Sequence, residues 1–438
     1  MKILIIGSGG REHVLAETYA KSHRVKKVYV APGNDFMEET SSKIQVFPHL
    51  SLLDFEKFLK LAKKLDVDLV DVAQDNALAE GFVDTFGKHG IPAFGPNKRA
   101  SEIEWSKEWA RKFMKKYKLP IPDFETFKDT KKAVSYIEKN PEAIRFIKAS
   151  GLALGKGVIR ADTKKDAYDG ISMMKQFGSS GKTFLIEEGL IGEEFSLFAI
   201  CDGKRYVIAG TAQDHKTAFT GDLGPNTGGM GCNAPTSLIN RSILSEIKTT
   251  ILSPFIHGMT LEGRPYTGII YLGGILTKKG NLPAGRQVKV IEFNARWGEP
   301  EANVILPGLQ TDYIDIVESV MMQELMTTTM RFDNQVRVSV AGCAKGYPTN
   351  YDQAKGKKIF GLNDAKKIKG VTIYGSGMKR KDTSYVVNGG RIFHLVAEGK
   401  DIHQARERAY TAMSHIFVEG NNLQFRTDIG FRELARSL

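Results

Sequence analysis

Lys148-Ala149-Ser150-Gly151-Leu152-Ala153-Leu154-Gly155-Lys156-Gly157-Val158 lies between Arg145 to Ala149 and Gly157 to Ala161, two segments that read as short strands. Glycines and lysines in one turn suit a phosphate cover, because bare backbone approaches the anion while Lys148 and Lys156 bring positive charge. The segment is not a Walker loop. Its glycine spacing is one residue short, and Gly157 stands where a Ser or Thr would hold magnesium. A glycine turn between two strands folds over phosphates in its own way, so the reading moves to what lies on either side.

Downstream, Ile186-Glu187-Glu188-Gly189-Leu190-Ile191-Gly192-Glu193-Glu194 precedes Val290-Ile291-Glu292-Phe293-Asn294-Ala295-Arg296. Glu292 and Asn294 are two apart on a strand, so both side chains point to one face. A carboxylate and an amide oxygen are hard ligands suited to Mg²⁺, which commonly takes one or two protein groups plus nucleotide phosphates. Arg296 falls on the same face, where it would meet a transferring phosphoryl group. An ordinary polar face of a half-buried strand would give the same pattern.

Upstream, Gly7-Ser8-Gly9-Gly10-Arg11-Glu12-His13 follows a strand and opens a helix, which aims backbone N–H groups at an anion. A dinucleotide site is disfavoured: Glu12 stands where that pattern needs glycine, and the second strand ends in Ala31-Pro32-Gly33-Asn34 rather than an acidic residue. A phosphate site on the same scaffold, with Arg11 as an added partner, fits better.

Around these motifs the first third alternates strand and helix: strands at Lys2 to Ile6, Val28 to Ala31 and Leu69 to Ala73, helices at Arg11 to Ser22, Leu53 to Lys64 and Ala77 to His89. That alternation predicts a doubly wound parallel sheet. Pro120 and Pro122 break the pattern after a helix at Lys107 to Tyr117. The stretch from Gln213 to Pro235 reads as a long irregular loop, a length that points to function. Lys278 to Gln287 reads as an exposed hairpin tip without catalytic role.

The chain has 438 residues, 42% hydrophobic and 26% charged, enough for about three domains with real cores. Cys201, Cys232 and Cys343 have no ligand spacing, which argues against disulfides and structural zinc. A net charge of +12 attracts anions, but no basic tail or aromatic-interleaved stripe points to nucleic acid. No apolar run is long enough to cross a membrane, and Met1 to Ile6 is too short for a signal-peptide core. A soluble, cytoplasmic protein is expected, acting on small molecules with neither nucleic acid nor membrane as partner, as a monomer or small homo-oligomer.

Taken together, these segments resemble the ATP-grasp superfamily, and within it the phosphoribosylamine–glycine ligase family, over nearly the whole chain. The motifs are Gly9-Gly10-Arg11-Glu12-His13, Ala31-Pro32-Gly33-Asn34, Ile147-Lys148-Ala149 with Gly151-Leu152-Ala153, and Gly155-Lys156-Gly157-Val158. Most specific are Gln213-Asp214-His215-Lys216 and Gly224-Pro225-Asn226-Thr227-Gly228-Gly229-Met230-Gly231. Ile291-Glu292-Phe293-Asn294, Arg296, Gly298, Pro300, Glu301 and Asn388-Gly389-Gly390-Arg391 complete the set.

The resemblance implies an α/β protein with a doubly wound parallel-sheet domain at 1–103. A two-lobed ATP-grasp α+β domain at 104–328 would follow, its mobile lobe at about 122–192, and then a mixed α/β domain at 329–438. It implies ATP as co-substrate and Mg²⁺ or Mn²⁺ held by Glu292 and Asn294. Lys107, Lys148, Gly155, Lys156 and Gly157 would meet ATP phosphates, with the turn around Gly155 as lid. Glu187, Glu188 and Leu190 would meet adenine, chiefly through backbone, and Glu194 the ribose. Glycine and 5-phosphoribosylamine would bind at Asp214, Lys216, Asn226, Thr227, Gly228 and Gly229, with the ribose phosphate at Gly9, Gly10 and Arg11. Lys148, Lys216 and Arg296 would carry the catalytic charge.

The chain departs from the family pattern at several points. Ser150 replaces an Asp, Ala73-Gln74-Asp75 replaces Gly-Pro-Glu, Thr217 replaces an Arg, and Gly298-Glu299-Pro300-Glu301 replaces Gly-Asp-Pro-Glu. These changes leave open a divergent ligase acting on another small amino acid or phosphorylated amine.

Overall fold

The computed structural model describes residues 1–52, 54–141, 143–153, 157–278, 286–325 and 330–438. Gly155 and Lys156, the expected lid, and most of the expected hairpin tip at 278–287 lie outside the described residues.

Strands β1 (Lys2–Gly7), β2 (Lys27–Pro32), β3 (Ile44–Val46), β4 (Leu69–Val72) and β5 (Ala93–Phe94) form a parallel sheet in the order β3-β2-β1-β4-β5. Continuous apolar runs suit strands covered on both faces. Ile3 and Ile5 pack with Val14, Leu15 and Tyr19 of helix α1 (Gly10–Lys21). Leu4 and Ile6 face the other way, toward Phe58 of α2 (Phe55–Leu65) and Phe82. The sheet is doubly wound, as the alternation predicts. The expected single helix from Ala77 to His89 is two, α3 (Asp75–Glu80) and α4 (Phe82–Lys88), because Gly81 at φ 80° takes a left-handed turn between them.

Short α5 (Glu102–Trp105) and α6 (Lys107–Lys116) lead into a four-stranded antiparallel sheet. Its strands β6 (Phe124–Phe127), β7 (Arg145–Ala149), β8 (Val158–Ala161) and β9 (Phe184–Glu188) run in the order β6-β9-β7-β8. Ile147, Ala161, Ile171 and Phe184 belong to a small core of its own.

The central sheet is larger than either domain reading suggests. Strands β10 (Gly192–Asp202) and β11 (Tyr206–Asp214) form an antiparallel hairpin. The expected irregular stretch then proves to contain β12 (Thr217–Phe219), β13 (Leu223–Asn226) and β14 (Gly231–Ala234). The first two are a small exposed hairpin, while β14 is fully buried. Strands β15 (Thr267–Thr277) and β16 (Gln287–Asn294) extend one side of the sheet, and β17 (Val336–Ala344) pairs with β14 on the other. The path continues through β18 (Lys358–Phe360) in a separate sheet, then β19 (Val371–Gly375), which joins the large one. Strands β20 (Met378–Lys381) and β21 (Ser384–Val387) pair with β18, and β22 (Arg391–Gly399) pairs with both β17 and β19. One sheet, β16-β15-β10-β11-β14-β17-β22-β19, thus runs without interruption from the ATP-grasp region into the C-terminal one. Four residues of β14 splice the two, and nothing in so short a run announces it: its β17 partners lie about a hundred residues further along the chain.

Candidate functional site

One cavity of about 530 Å³ opens where the N-terminal sheet, the small sheet, the large sheet and the C-terminal region meet. Most of the expected site residues that are described line it: Gly9, Arg11, Lys107, Lys148, Gly157, Glu187, Glu188, Leu190, Glu194, Asp214, Lys216, Asn226, Thr227, Gly228, Glu292, Asn294 and Arg296. Ala31 to Asn34 does not reach it. Gly10 and Gly229 lie immediately behind that wall and do not line it. Gly229, at φ +108°, packs so closely that a Cβ there would stand 2.5 Å from Pro300 Cδ.

At one end of the cavity a buried ion triad ties three elements together. Arg111 of α6 donates two hydrogen bonds to Glu187 of β9, at 2.7 and 2.8 Å, and Lys148 Nζ of β7 lies 2.6 Å from Glu187 Oε2. Arg111 also donates to the Ile291 carbonyl at 2.6 Å, joining the small sheet to β16. Burial alone would push the Glu187 carboxyl up, but Arg111 and Lys148 overcome it and hold it at about 2. The Glu187 side chain is therefore committed to protein cations, which leaves its backbone to face a ligand. Sequence reasoning missed Arg111; its only signal was a lone basic residue on the apolar face of an amphipathic helix.

Glu292 and Asn294 point into the cavity from β16, and neither side chain has a hydrogen-bond partner among the described residues. Burial tends to raise the Glu292 carboxyl, but Lys216, Lys148, Lys107 and Arg296 outweigh it and keep it ionised. An unpartnered carboxylate beside an unpartnered amide oxygen fits a hard divalent cation whose remaining ligands are phosphate oxygens and water. Among the described residues no cluster of three or more His, Cys, Asp or Glu offers an all-protein cage. Lys107 also faces this space, its ammonium pulled down by burial and by Lys148.

Arg296 leans on Glu104, a residue that sequence reasoning passed over, at 2.8 Å. Glu104 also accepts from the Ala295 N–H at 2.8 Å, which fixes the end of β16. Arg296 Nε is buried with no partner among the described residues.

Two further carboxylates, Asp214 and Glu301, line the same cavity. Asp214 accepts from the His215 N–H at 2.8 Å; burial and the Glu301 charge push its carboxyl well above the usual range. Glu301 is buried and accepts from Ser196 Oγ at 2.7 Å. Lys216 pairs with Glu194 at 2.8 Å. Thr227 donates through N and Oγ1 to the Lys216 carbonyl, at 2.7 and 2.8 Å, folding the loop back on itself.

Each nitrogen of the Arg11 guanidinium donates once, Nε to Glu12 Oε1 at 2.5 Å, Nη2 to Gln74 Oε1 at 2.6 Å and Nη1 to the Trp297 carbonyl at 3.3 Å. Its backbone N–H donates to Glu299 Oε2 at 3.1 Å. Glu12, at the place where a dinucleotide site would need glycine, accepts from the Gly9 N–H at 2.6 Å and braces the turn.

The departures find local explanations. Ser150 Oγ accepts from the Glu108 N–H at 3.0 Å, so it caps the first turn of α6 and lies away from the carboxylate cluster. Gln74 is the Arg11 partner just described. Thr217 receives a guanidinium from elsewhere: Arg426, fully buried, donates to its Oγ1 at 2.8 Å and its carbonyl at 3.2 Å, and pairs with Asp222 and Asp428.

Three family models match the chain in order. They are the phosphoribosylglycinamide synthetase N domain at 1–104, its ATP-grasp (A) domain at 105–302, and its C domain at 337–432. A phosphoribosylamine–glycine ligase of Streptococcus pneumoniae is 41% identical over 443 residues, covering 99% of this chain and 100% of the relative. The Streptococcus suis enzyme of that name is 39% identical over 436 residues, with 98% and 99% covered. The crystal structure of a Thermotoga maritima phosphoribosylamine–glycine ligase superposes with a TM-score of 0.80 at 29% identity, covering 98% of this chain and 100% of that one. With this match over its whole length, and with the family's motifs drawn around one cavity, the chain belongs to the phosphoribosylamine–glycine ligase family.

Proposed function

We propose that the protein joins glycine to 5-phosphoribosylamine at the expense of ATP, giving glycinamide ribonucleotide, ADP and phosphate, a step of purine biosynthesis. The observation that supports this reading most is that one cavity gathers the cations Lys107, Lys148 and Arg296 together with the buried carboxylates Asp214 and Glu301. A nucleotide's phosphates belong with the cations, an ammonium with the carboxylates.

A carboxylate resists attack by an amine because oxide would have to leave. Glycine's carboxylate oxygen therefore attacks the γ-phosphorus of ATP, the bond to the β-phosphate oxygen breaks, and glycyl phosphate forms with ADP. The ribosylamine nitrogen then attacks the acyl carbon, phosphate departs, and the nitrogen loses a proton. The protein's share is positioning and charge neutralisation, without a side-chain nucleophile. Lys107 and Lys148 neutralise the phosphates, and the Arg296 guanidinium stands by the transferred group. Asp214, Glu301 and the loop through Asn226, Thr227 and Gly228 hold the amino acid and the amine, and Lys216 bridges to Glu194 near the nucleotide ribose. Glu292 and Asn294 would hold a Mg²⁺ or Mn²⁺ ion, which would add to the neutralisation of the phosphates. Adenine lies against the backbone of Glu187 to Leu190.

In domain terms we read 1–103, 104–328 and 329–438 as units, with the lobe at about 122–192 covering the nucleotide so that water does not hydrolyse the acyl phosphate. The reaction's soluble substrates fit a cytoplasmic enzyme with no nucleic-acid or membrane partner. The test is ADP release with ATP and Mg²⁺, with glycine and freshly made 5-phosphoribosylamine added separately and together, repeated with Mn²⁺. ADP and glycinamide ribonucleotide should appear only with both substrates present. ATP left intact under that condition would refute the assignment.

A further inference from the structure

Glu299 was set apart in the sequence as one carbon longer than the family pattern expects, and the structure gives that carbon a consequence. Its side chain is only 8% exposed, yet it lines the cavity at the Gly9 end. Oε2 accepts from the Arg11 backbone N–H at 3.1 Å, in the first turn of the 12-residue helix α1. Oε1 lies 3.2 Å from Arg391 Nη2, 3.2 Å from His394 Nε2 and 3.3 Å from Ser376 Oγ. Four donors from three distant parts of the chain thus converge on one carboxylate. Gly9 leaves the room for it: a Cβ there would stand 2.4 Å from Glu299 Oε2. A helix N-terminus with an arginine, a histidine and a hydroxyl is a donor set for a phosphate's oxygens as much as for a carboxylate's.

We propose that Glu299 is a specificity-determining residue that fills the phosphate end of the amine site with its own carboxylate, so that a phosphorylated substrate enters only by displacing it. This rests on the reading of Gly9 to Arg11 as the ribose-phosphate site. Arg391, then His394 and Arg11, keep the carboxylate ionised against the effect of burial. Two anions on one donor set repel by several kcal/mol, so Glu299 and the phosphate exclude one another. The apparent affinity for the phosphate is lowered by the fraction of molecules in which Glu299 has swung away. An aspartate would fall short by about 1.5 Å, one C–C bond, and could not hold the Arg11 N–H at hydrogen-bond distance.

The experiment is titration calorimetry of the nucleotide-free protein with ribose 5-phosphate and with unphosphorylated ribose, on wild type, Glu299→Asp and Glu299→Gln. Glu299→Asp should bind ribose 5-phosphate about tenfold tighter than wild type, and Glu299→Gln should also bind it tighter, with ribose affinity unchanged throughout. Equal affinity in all three proteins, weaker binding by Glu299→Asp, or no ribose 5-phosphate binding by any of them overturns the proposal. If Glu299→Gln does not fold, Glu299→Asp, which keeps the charge beside Arg391, decides the matter alone. ADP release by the same wild-type preparation reports separately on the ligase reading. Turnover to glycinamide ribonucleotide with no affinity difference would leave that reading standing and remove only the role of Glu299.

Discussion

The two ends of the cavity solve the problem of buried charge in opposite ways. At the nucleotide end, Glu187 pairs with both Arg111 and Lys148 through contacts of 2.6 to 2.8 Å, and the set is almost wholly buried. Desolvation is offset inside the protein, so the end is built before ATP arrives. At the amine end, Asp214 and Glu301 repel each other with no cation in hydrogen-bond contact with either, while Glu299 occupies an anion site. Asp214 and Glu301 are left for an ammonium, while the Arg11 N–H, Arg391 and His394 already hold a carboxylate that a phosphate must displace. Preformed order at one end and unbalanced charge at the other favours a nucleotide that binds to a finished surface and substrates whose charges complete theirs.

The largest effect expected of any single change is at the metal pair, which belongs to neither end. Glu292→Ala should cut ADP release roughly a thousandfold with little change in the melting curve, since its carboxylate has no hydrogen-bond partner among the described residues. Near-normal turnover would remove the assignment of Glu292 to the cation. Next comes the preformed end. Glu187→Gln strands two buried cations and should lower unfolding stability by about 3 kcal/mol, read from the urea midpoint. A stable variant with intact ATP affinity would show that the triad is not what organises that end.

At the amine end Arg426→Ala should raise the KM for glycine and for the amine more than it lowers kcat, because the loop from Thr217 to Asn226 loses its anchor. It should also cost about 2 kcal/mol of stability, since Asp222 and Asp428 keep partial access to water. An unchanged KM would break the link between the C-terminal segment and the substrate loop.

The smallest effect lies behind the cavity, at Asp71, which accepts from Tyr19 at 2.7 Å. Burial lifts its carboxyl to about 7, above an unfolded value of about 4. Its contribution to stability is therefore full below about pH 4 and lost as pH rises through about 7. Asp71→Asn should flatten the fall in melting temperature between pH 5 and pH 8, by a few degrees at about the scale expected for one buried group. Parallel curves for variant and wild type would mean that Asp71 does not titrate in this range.

Much of the site could be read in the sequence because it depends on local geometry. Two residues apart on a strand put Glu292 and Asn294 on one face, and Gly9-Gly10 after β1 opens a helix over an anion, whatever the rest of the chain does. The parallel N-terminal sheet was legible for the same reason, in apolar runs separated by helical periods. What tertiary structure alone decided are contacts whose partners share no period. Arg111 meets Glu187 across 76 positions, Arg426 reaches Thr217 across 209, and Glu299 reaches the Arg11 N–H across 288. Each looks in sequence like an ordinary surface charge. Burial turns it into a constraint, because a charge removed from water must find a partner, and which partner it finds depends on how the sheets are stacked. Residue types and short spacings thus determined what chemistry this protein carries, while the packing of distant segments decided which charges are spent within the fold and which are left for substrates.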